Sequence, residues 1–220
     1  MTLQTACAIL LSILFACWSH AGVDLDRLQR LAAEQYGSEA VRRVTDWAQL
    51  LEAAQPLDSR AQLARVNTFF NRRIHFDDDL VIWGEEDYWA TPLETLGVGA
   101  GDCEDFTIAK YITLRLLGVP DERLRLIYVR AQIGGAGSGL SQAHMVLGYY
   151  TSPTAEPLIL DNLIGDILPA SRRPDLAPVF SFNSEGLWVG GASRPSADPT
   201  TRLSRWRDVL ERMRIEGILP

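Results

Sequence analysis

The chain has 220 residues, 47% of them hydrophobic and six of them tryptophan, which is enough apolar mass for a real core and too much for a disordered segment. A formal charge of -7 and a pI near 5.0 leave no basic field for a phosphate backbone, which argues against nucleic acid as a partner. One domain of ordinary size with a helical extension accounts for the length.

Residues 1–22 contain no Asp, Glu, Lys or Arg, and the apolar run Ala8–Ala16 is too short to span a bilayer. This is the pattern of a secretory h-region, and Ser19-His20-Ala21 offers a small-x-small cleavage site. Residues 1–21 are therefore expected to be a signal peptide, with 22–220 as a single domain and the protein exported. The n-region departs from the pattern in lacking Lys and Arg. Leu14-Phe-Ala-Cys17 loosely resembles a lipoprotein box with an unusual Phe, so lipid anchoring at Cys17 is the minority reading. Removal of the leader takes Cys7 and Cys17 with it and leaves Cys103 alone. An unpaired cysteine in an oxidising compartment calls for a role, and nucleophilic catalysis is the commonest one.

Residues 22–75 read as a helical N-terminal part. Leu25, Leu28, Leu31 and Ala32 recur at helical spacing, then Val41, Val44, Trp47 and Leu51, with Tyr36-Gly37-Ser38 as the break and Ser38 as the N-cap. A third helix opens at Asp58-Ser59 and carries Leu63, Val66, Phe69 and Phe70. The acidic stretches Asp77-Asp78-Asp79 and Glu85-Glu86-Asp87 could supply calcium ligands but lack the alternation and central glycine of an EF-hand loop, so a solvated acidic face is the expectation there. His75 stands in a basic amphipathic context and reads as a surface residue.

Gly99-Ala-Gly-Asp102-Cys103-Glu104-Asp105-Phe106 is the informative stretch. A glycine-rich turn delivers Cys103 to the start of a helix running to about Leu117, where unpaired N–H groups and the dipole favour an anion and would lower the thiol's pKa. Beyond Pro120 the pattern turns strand-like: Leu124–Val129, then Ala143–Tyr150, then Leu158–Asp161. Short connections between these runs imply an antiparallel sheet. Gly134–Gly139 matches a phosphate loop in composition only and reads as a flexible connection. His144 opens the second strand and Asp161 closes the third, at the same edge of a hairpin. The pair would supply the base and its orienting carboxylate for Cys103. Phe180–Trp188 is expected to return to the sheet, Pro195–Pro199 to form a loop, and Arg202–Ile215 to be a basic amphipathic helix docked on the core. The expected fold class is α+β, papain/transglutaminase-like, with the nucleophile's helix packed on the antiparallel sheet and an N-terminal helical extension.

Trp89–Tyr111, Ala143-His-Met-Val-Leu147, Leu160-Asp-Asn-Leu163 and Phe180–Trp188 closely resemble the bacterial transglutaminase-like cysteine proteinases of the LapG family. The resemblance implies a periplasmic, calcium-dependent endopeptidase that cuts the N-terminal region of a large surface adhesin near paired alanines and disperses biofilm. It also implies restraint by an inner-membrane cyclic-di-GMP receptor of the LapD type. The family's triad carries over onto Cys103, His144 and Asp161, and its calcium-associated acids onto Asp102 and Glu104, with Asp105 a further candidate. Two other functions remain open: transglutaminase-type acyl transfer to an amine, and a non-catalytic calcium-sensing binding module.

Overall fold

The computed structural model describes residues 22–134, 138–190, 192 and 194–219. The expected signal peptide, with Cys7 and Cys17, lies outside the described residues. Among the described residues no helix is long and apolar enough to cross a membrane.

Three helices lead: α1 (Leu25–Tyr36), α2 (Ser38–Ala54) and α3 (Ser59–Arg73). Asp24 caps α1 by accepting the Arg27 N–H, and Asp58 caps α3 by accepting the Ala61 N–H. Ser38 is not the cap of α2. Gly37, at φ 83°, holds that position without a side-chain bond, because the chain must turn through a left-handed residue there.

The chain then passes through β1 (His75–Phe76), the one-turn α4 (Asp79–Ile82), α5 (Pro92–Val98) and β2 (Ala100–Gly101), which pairs parallel to β1. Helix α5 begins with a full capping box, in which Thr91 accepts the Glu94 N–H and Glu94 accepts the Thr91 N–H, with Pro92 in the first turn. It ends at Gly99 in the left-handed region, φ 80°.

The central element is α6 (Cys103–Leu116). From Asp105 to Leu114 every residue is buried, as expected of a helix enclosed on all sides. Helices α2 and α3 cover one side of it, where the Trp47 indole N–H donates to Thr113 Oγ1 at 2.9 Å. The sheet covers the other. That sheet is antiparallel throughout, in the order β6-β5-β4-β3-β7-β8, from β3 (Leu124–Gln132), β4 (Ser141–Tyr149), β5 (Leu158–Leu160), β6 (Leu168–Pro169), β7 (Leu176–Phe182) and β8 (Leu187–Val189). Three of these are the strands read from the sequence. Side chains alternate across it: Leu124, Leu126, Met145 and Leu147 join the main core beneath α6, while Ile127, Val129, Val146 and Ile159 form a second cluster on the far face.

The C-terminal part adds α7 (Pro199–Arg202) and α8 (Ser204–Glu216). Trp206, Val209 and Met213 are buried, and Trp206 packs edge-on to Tyr111 and Phe182. The basic face of α8 is also used structurally, since Arg212 binds Glu94, the Tyr88 hydroxyl and the Trp89 carbonyl. The expected α+β class, with the cysteine-bearing helix packed on an antiparallel sheet, is the architecture observed.

Candidate active site

Gly101 precedes the nucleophile's helix for a steric reason. A Cβ there would lie 2.8 Å from the Asp105 Cβ, so only glycine lets the turn close onto α6. Asp102 is the N-cap and accepts the Glu104 N–H at 3.2 Å, which leaves Cys103 as the first helical residue. The thiol is partly exposed and donates to Glu104 Oε2 at 2.7 Å. Thr107 Oγ1 lies 2.8 Å from the Cys103 carbonyl and 3.1 Å from that of Met145, tying the first turn of α6 to β4 beside His144.

His144 sits on β4 opposite Val129 and is 2% exposed. Its Nε2 lies 2.9 Å from Asp161 Oδ1, which leaves Nδ1 as the free ring nitrogen. The pairing follows from register: β4 and β5 pair through Leu147 and Leu160, and Asp161 is the next residue. Asp161 is saturated. Its Oδ1 also accepts the Leu163 N–H at 3.0 Å, and Oδ2 accepts Arg173 Nη2 at 2.8 Å. Burial by itself would raise this carboxyl. The hydrogen bond and charge of His144, together with the Leu163 N–H and Arg173, outweigh that and hold its pKa down at about 2. Arg173 is in turn held by Asp175, with Nε to Oδ1 at 3.0 Å, and Asn71 from α3 donates to the Asp161 carbonyl at 2.8 Å. Neither Arg173 nor Asn71 carries a sequence signal, because each reaches Asp161 from a different segment of the chain. Lys110, two turns along α6 from Cys103, is buried, and its pKa is pushed down to about 7 by burial against the opposing attraction of Asp161.

The nucleophile's side is different. The expectation of a thiol pKa lowered by the helix start is reversed: burial, the charges of Glu104 and Asp102, and the bond to Glu104 all push the Cys103 thiol up, and the Met145 N–H only partly offsets them. A macrodipole equivalent to about half a charge loses to two adjacent carboxylates.

Those carboxylates belong to a larger cluster. Oxygens of Asp79, Asp102 and Asp105 lie within 4.8 Å of one another, as do those of Asp79, Asp87 and Glu104. The expected solvated acidic face is therefore overturned for Asp79, whereas Asp87 stays half-exposed in an ion pair with Arg205 at 3.1 Å. Asp79 is 3% exposed because the chain folds back and the Tyr88 N–H donates to its Oδ2. Burial and neighbouring acids raise Asp79 to about 6, Asp102 to about 9, and Asp105 well above the carboxylate range. Asp79 Oδ1, Asp87 Oδ1 and Asp105 Oδ2 are buried without a hydrogen-bond partner among the described residues. Asp105 Oδ1 accepts the Ala90 N–H at 2.7 Å, so this residue serves the chain as well as the cluster. Buried, unpaired, all-oxygen donors repelling one another are suited to a hard divalent cation. Trp89, one of the two tryptophans near the site, stacks on Phe182 in the core, and Trp83 packs on Tyr88.

A helix that presents a thiol at its N-terminus, against an antiparallel sheet carrying a buried histidine–aspartate pair, defines the papain/transglutaminase-like class of cysteine enzymes. The comparisons narrow this class. The bacterial transglutaminase-like cysteine proteinase family matches residues 39–175, and the chain belongs to that family. Three solved structures of Legionella pneumophila LapG are similar to it at 40% identity over 87% of this chain. The EGTA-treated form gives a TM-score of 0.75 over 98% of its own chain, a further LapG structure 0.73 over 98%, and the calcium-bound form 0.72 over 99%. No curated protein sequence matches the chain significantly.

Proposed function

We propose that this cysteine protease is a periplasmic, calcium-dependent endopeptidase that cuts the N-terminal region of a large surface adhesin and thereby controls adhesin release and biofilm dispersal. The observation that carries the catalytic part is the 2.9 Å His144–Asp161 bond beside the helix start that bears Cys103. The LapG likeness over 87% of the chain supports the substrate class.

In the mechanism, His144 Nδ1 takes the proton from Cys103 Sγ, and Asp161 holds the imidazole in the tautomer that leaves Nδ1 free to accept it. The thiolate attacks the scissile carbonyl. The backbone N–H of Cys103 at the start of α6 stabilises the oxyanion, since the Asp102 cap takes that of Glu104. The C–N bond breaks as His144 returns the proton to the leaving amine. Water, deprotonated by His144, then hydrolyses the thioester and frees the sulfur. Asp79, Asp87, Asp102 and Glu104, with Asp105 behind them, would hold the calcium ion, whose positive charge offsets the carboxylates that oppose thiolate formation. Restraint by an inner-membrane cyclic-di-GMP receptor of the LapD type completes the proposal.

The test is cleavage of an adhesin N-terminal fragment with a paired-alanine site by wild type, wild type in EGTA, and Cys103→Ala. Cutting that needs both cation and thiol supports the reading. A folded, calcium-loaded wild type that leaves the fragment intact but incorporates a labelled amine into a glutamine substrate would overturn it in favour of acyl transfer.

A further inference from the structure

The face of the sheet turned away from α6 carries a cavity of about 410 Å3, within the roughly 300–1,000 Å3 usual for small-molecule sites. Its floor is the second apolar cluster, Ile127, Val129, Val146 and Ile159. Two arginines stand in its wall, and among the described residues no acid lines it, although the chain as a whole is strongly acidic.

Both arginines are more than nine-tenths buried, Arg125 at 8% and Arg173 at 4% exposure. The Arg125 guanidinium is stacked 3.9 Å from the Trp188 ring centre and 4.7 Å from that of Tyr150. Stacking of this kind satisfies the flat faces of the group and leaves its N–H edge to find a partner. Arg125 Nε has none among the described residues, and neither has Arg173 Nη1, although Nε and Nη2 of Arg173 are engaged by Asp161 and Asp175. A buried guanidinium N–H without an acceptor is a vacancy for an oxyanion, and a carboxylate matches the fork best. The apolar floor requires that the rest of the ligand be hydrocarbon.

We propose that this cavity binds an aliphatic carboxylate, with its chain along Ile127, Val129, Val146 and Ile159 and its head drawn to the guanidinium groups of Arg125 and Arg173. The proposal is independent of the protease reading.

Titration calorimetry of the purified protein with decanoate, below its micelle concentration, and with decanol of equal chain length tests it. Decanoate is expected to bind once per chain and decanol at least tenfold more weakly. Arg125→Met should weaken decanoate at least tenfold, toward the alcohol. Ala155→Leu, which fills the cavity wall and leaves both arginines in place, should weaken both ligands at least tenfold with peptide cleavage unchanged. Should Arg125→Met fail to fold, the acid-to-alcohol ratio and Ala155→Leu still decide. Equal affinity for acid and alcohol, binding indifferent to Ala155→Leu, or no binding at all overturns the proposal.

Discussion

On the sheet side of the candidate site each charge has a counterpart, with His144, Asp161, Arg173 and Asp175 forming an unbroken chain of bonds from the interior to the surface. At the start of α6, Asp102 and Glu104 flank the thiol and cluster in turn with Asp79, Asp87 and Asp105, and three buried oxygens of these acids have no partner among the described residues. His144 and Asp161 are thus oriented by the polypeptide alone. The Cys103 thiol lies beside carboxylates that oppose its ionisation and that a bound cation would offset. The chain has divided the site into a permanent half and a conditional half.

Removing a reacting group gives the largest expected effect and ignores this division. Cys103→Ala and His144→Ala should each lower cleavage by about 10^4-fold or more with the thermal midpoint little changed, measured on a fluorogenic peptide spanning the cut site. Near-normal turnover in either folded variant sinks the assignment.

The permanent half is probed next. Asp161→Asn should cost about 10^4-fold in kcat through the wrong tautomer. Arg173→Met should cost about 10^2-fold by loosening Asp161. A positioning role for Arg173 also predicts that the acid limb of the pH–rate profile moves, whereas a purely structural role would change stability alone.

The conditional half answers to cations instead. Calcium at a hundredfold excess over its dissociation constant should stabilise the wild type by about 2.7 kcal/mol, read as a rise in thermal midpoint that EGTA reverses. Asp79→Asn should remove most of that rise. In EGTA the same variant should be at least as stable as wild type, because it deletes a buried, repelled carboxylate. A calcium response untouched by Asp79→Asn would move the cation site elsewhere.

A last effect lies outside both halves and serves as a control. Glu216, buried on α8 and bonded to Thr91 Oγ1, is raised to about 8 by burial. The folded protein therefore keeps a proton that the unfolded chain has already lost, so this contribution to stability is complete below about pH 4 and fades as pH rises through about 8. Glu216→Gln should flatten that slope in denaturant titrations at pH 5 and pH 8, with no change in the calcium response.

How much of this was legible in the sequence differs along the chain. The start of α6 is readable because a glycine turn, a capping acid and helical spacing are all local. The hairpin that brings His144 to Asp161 is readable because strand alternation and a short turn leave few registers. The fate of Asp77–Asp87 is not: an acidic run looks solvated by composition, and only Tyr88 donating its N–H to Asp79 across a fold-back buries part of it. The thiol's environment is equally hidden, since helix position alone argues for a lowered pKa and the surrounding carboxylates reverse it.

By itself the sequence determined the α+β class, the helix that carries Cys103, the strand that carries His144 and the strand that Asp161 follows, since each rests on residues near one another in the chain. Tertiary structure alone decided that Arg173 completes the aspartate, that Asp79 and Asp87 join Asp102 and Glu104, and that two arginines face an apolar cavity on the back of the sheet. The physical reason is range. Capping, periodicity and turns act over a few residues, whereas the charge balance of a buried site is summed over every segment the fold brings to it.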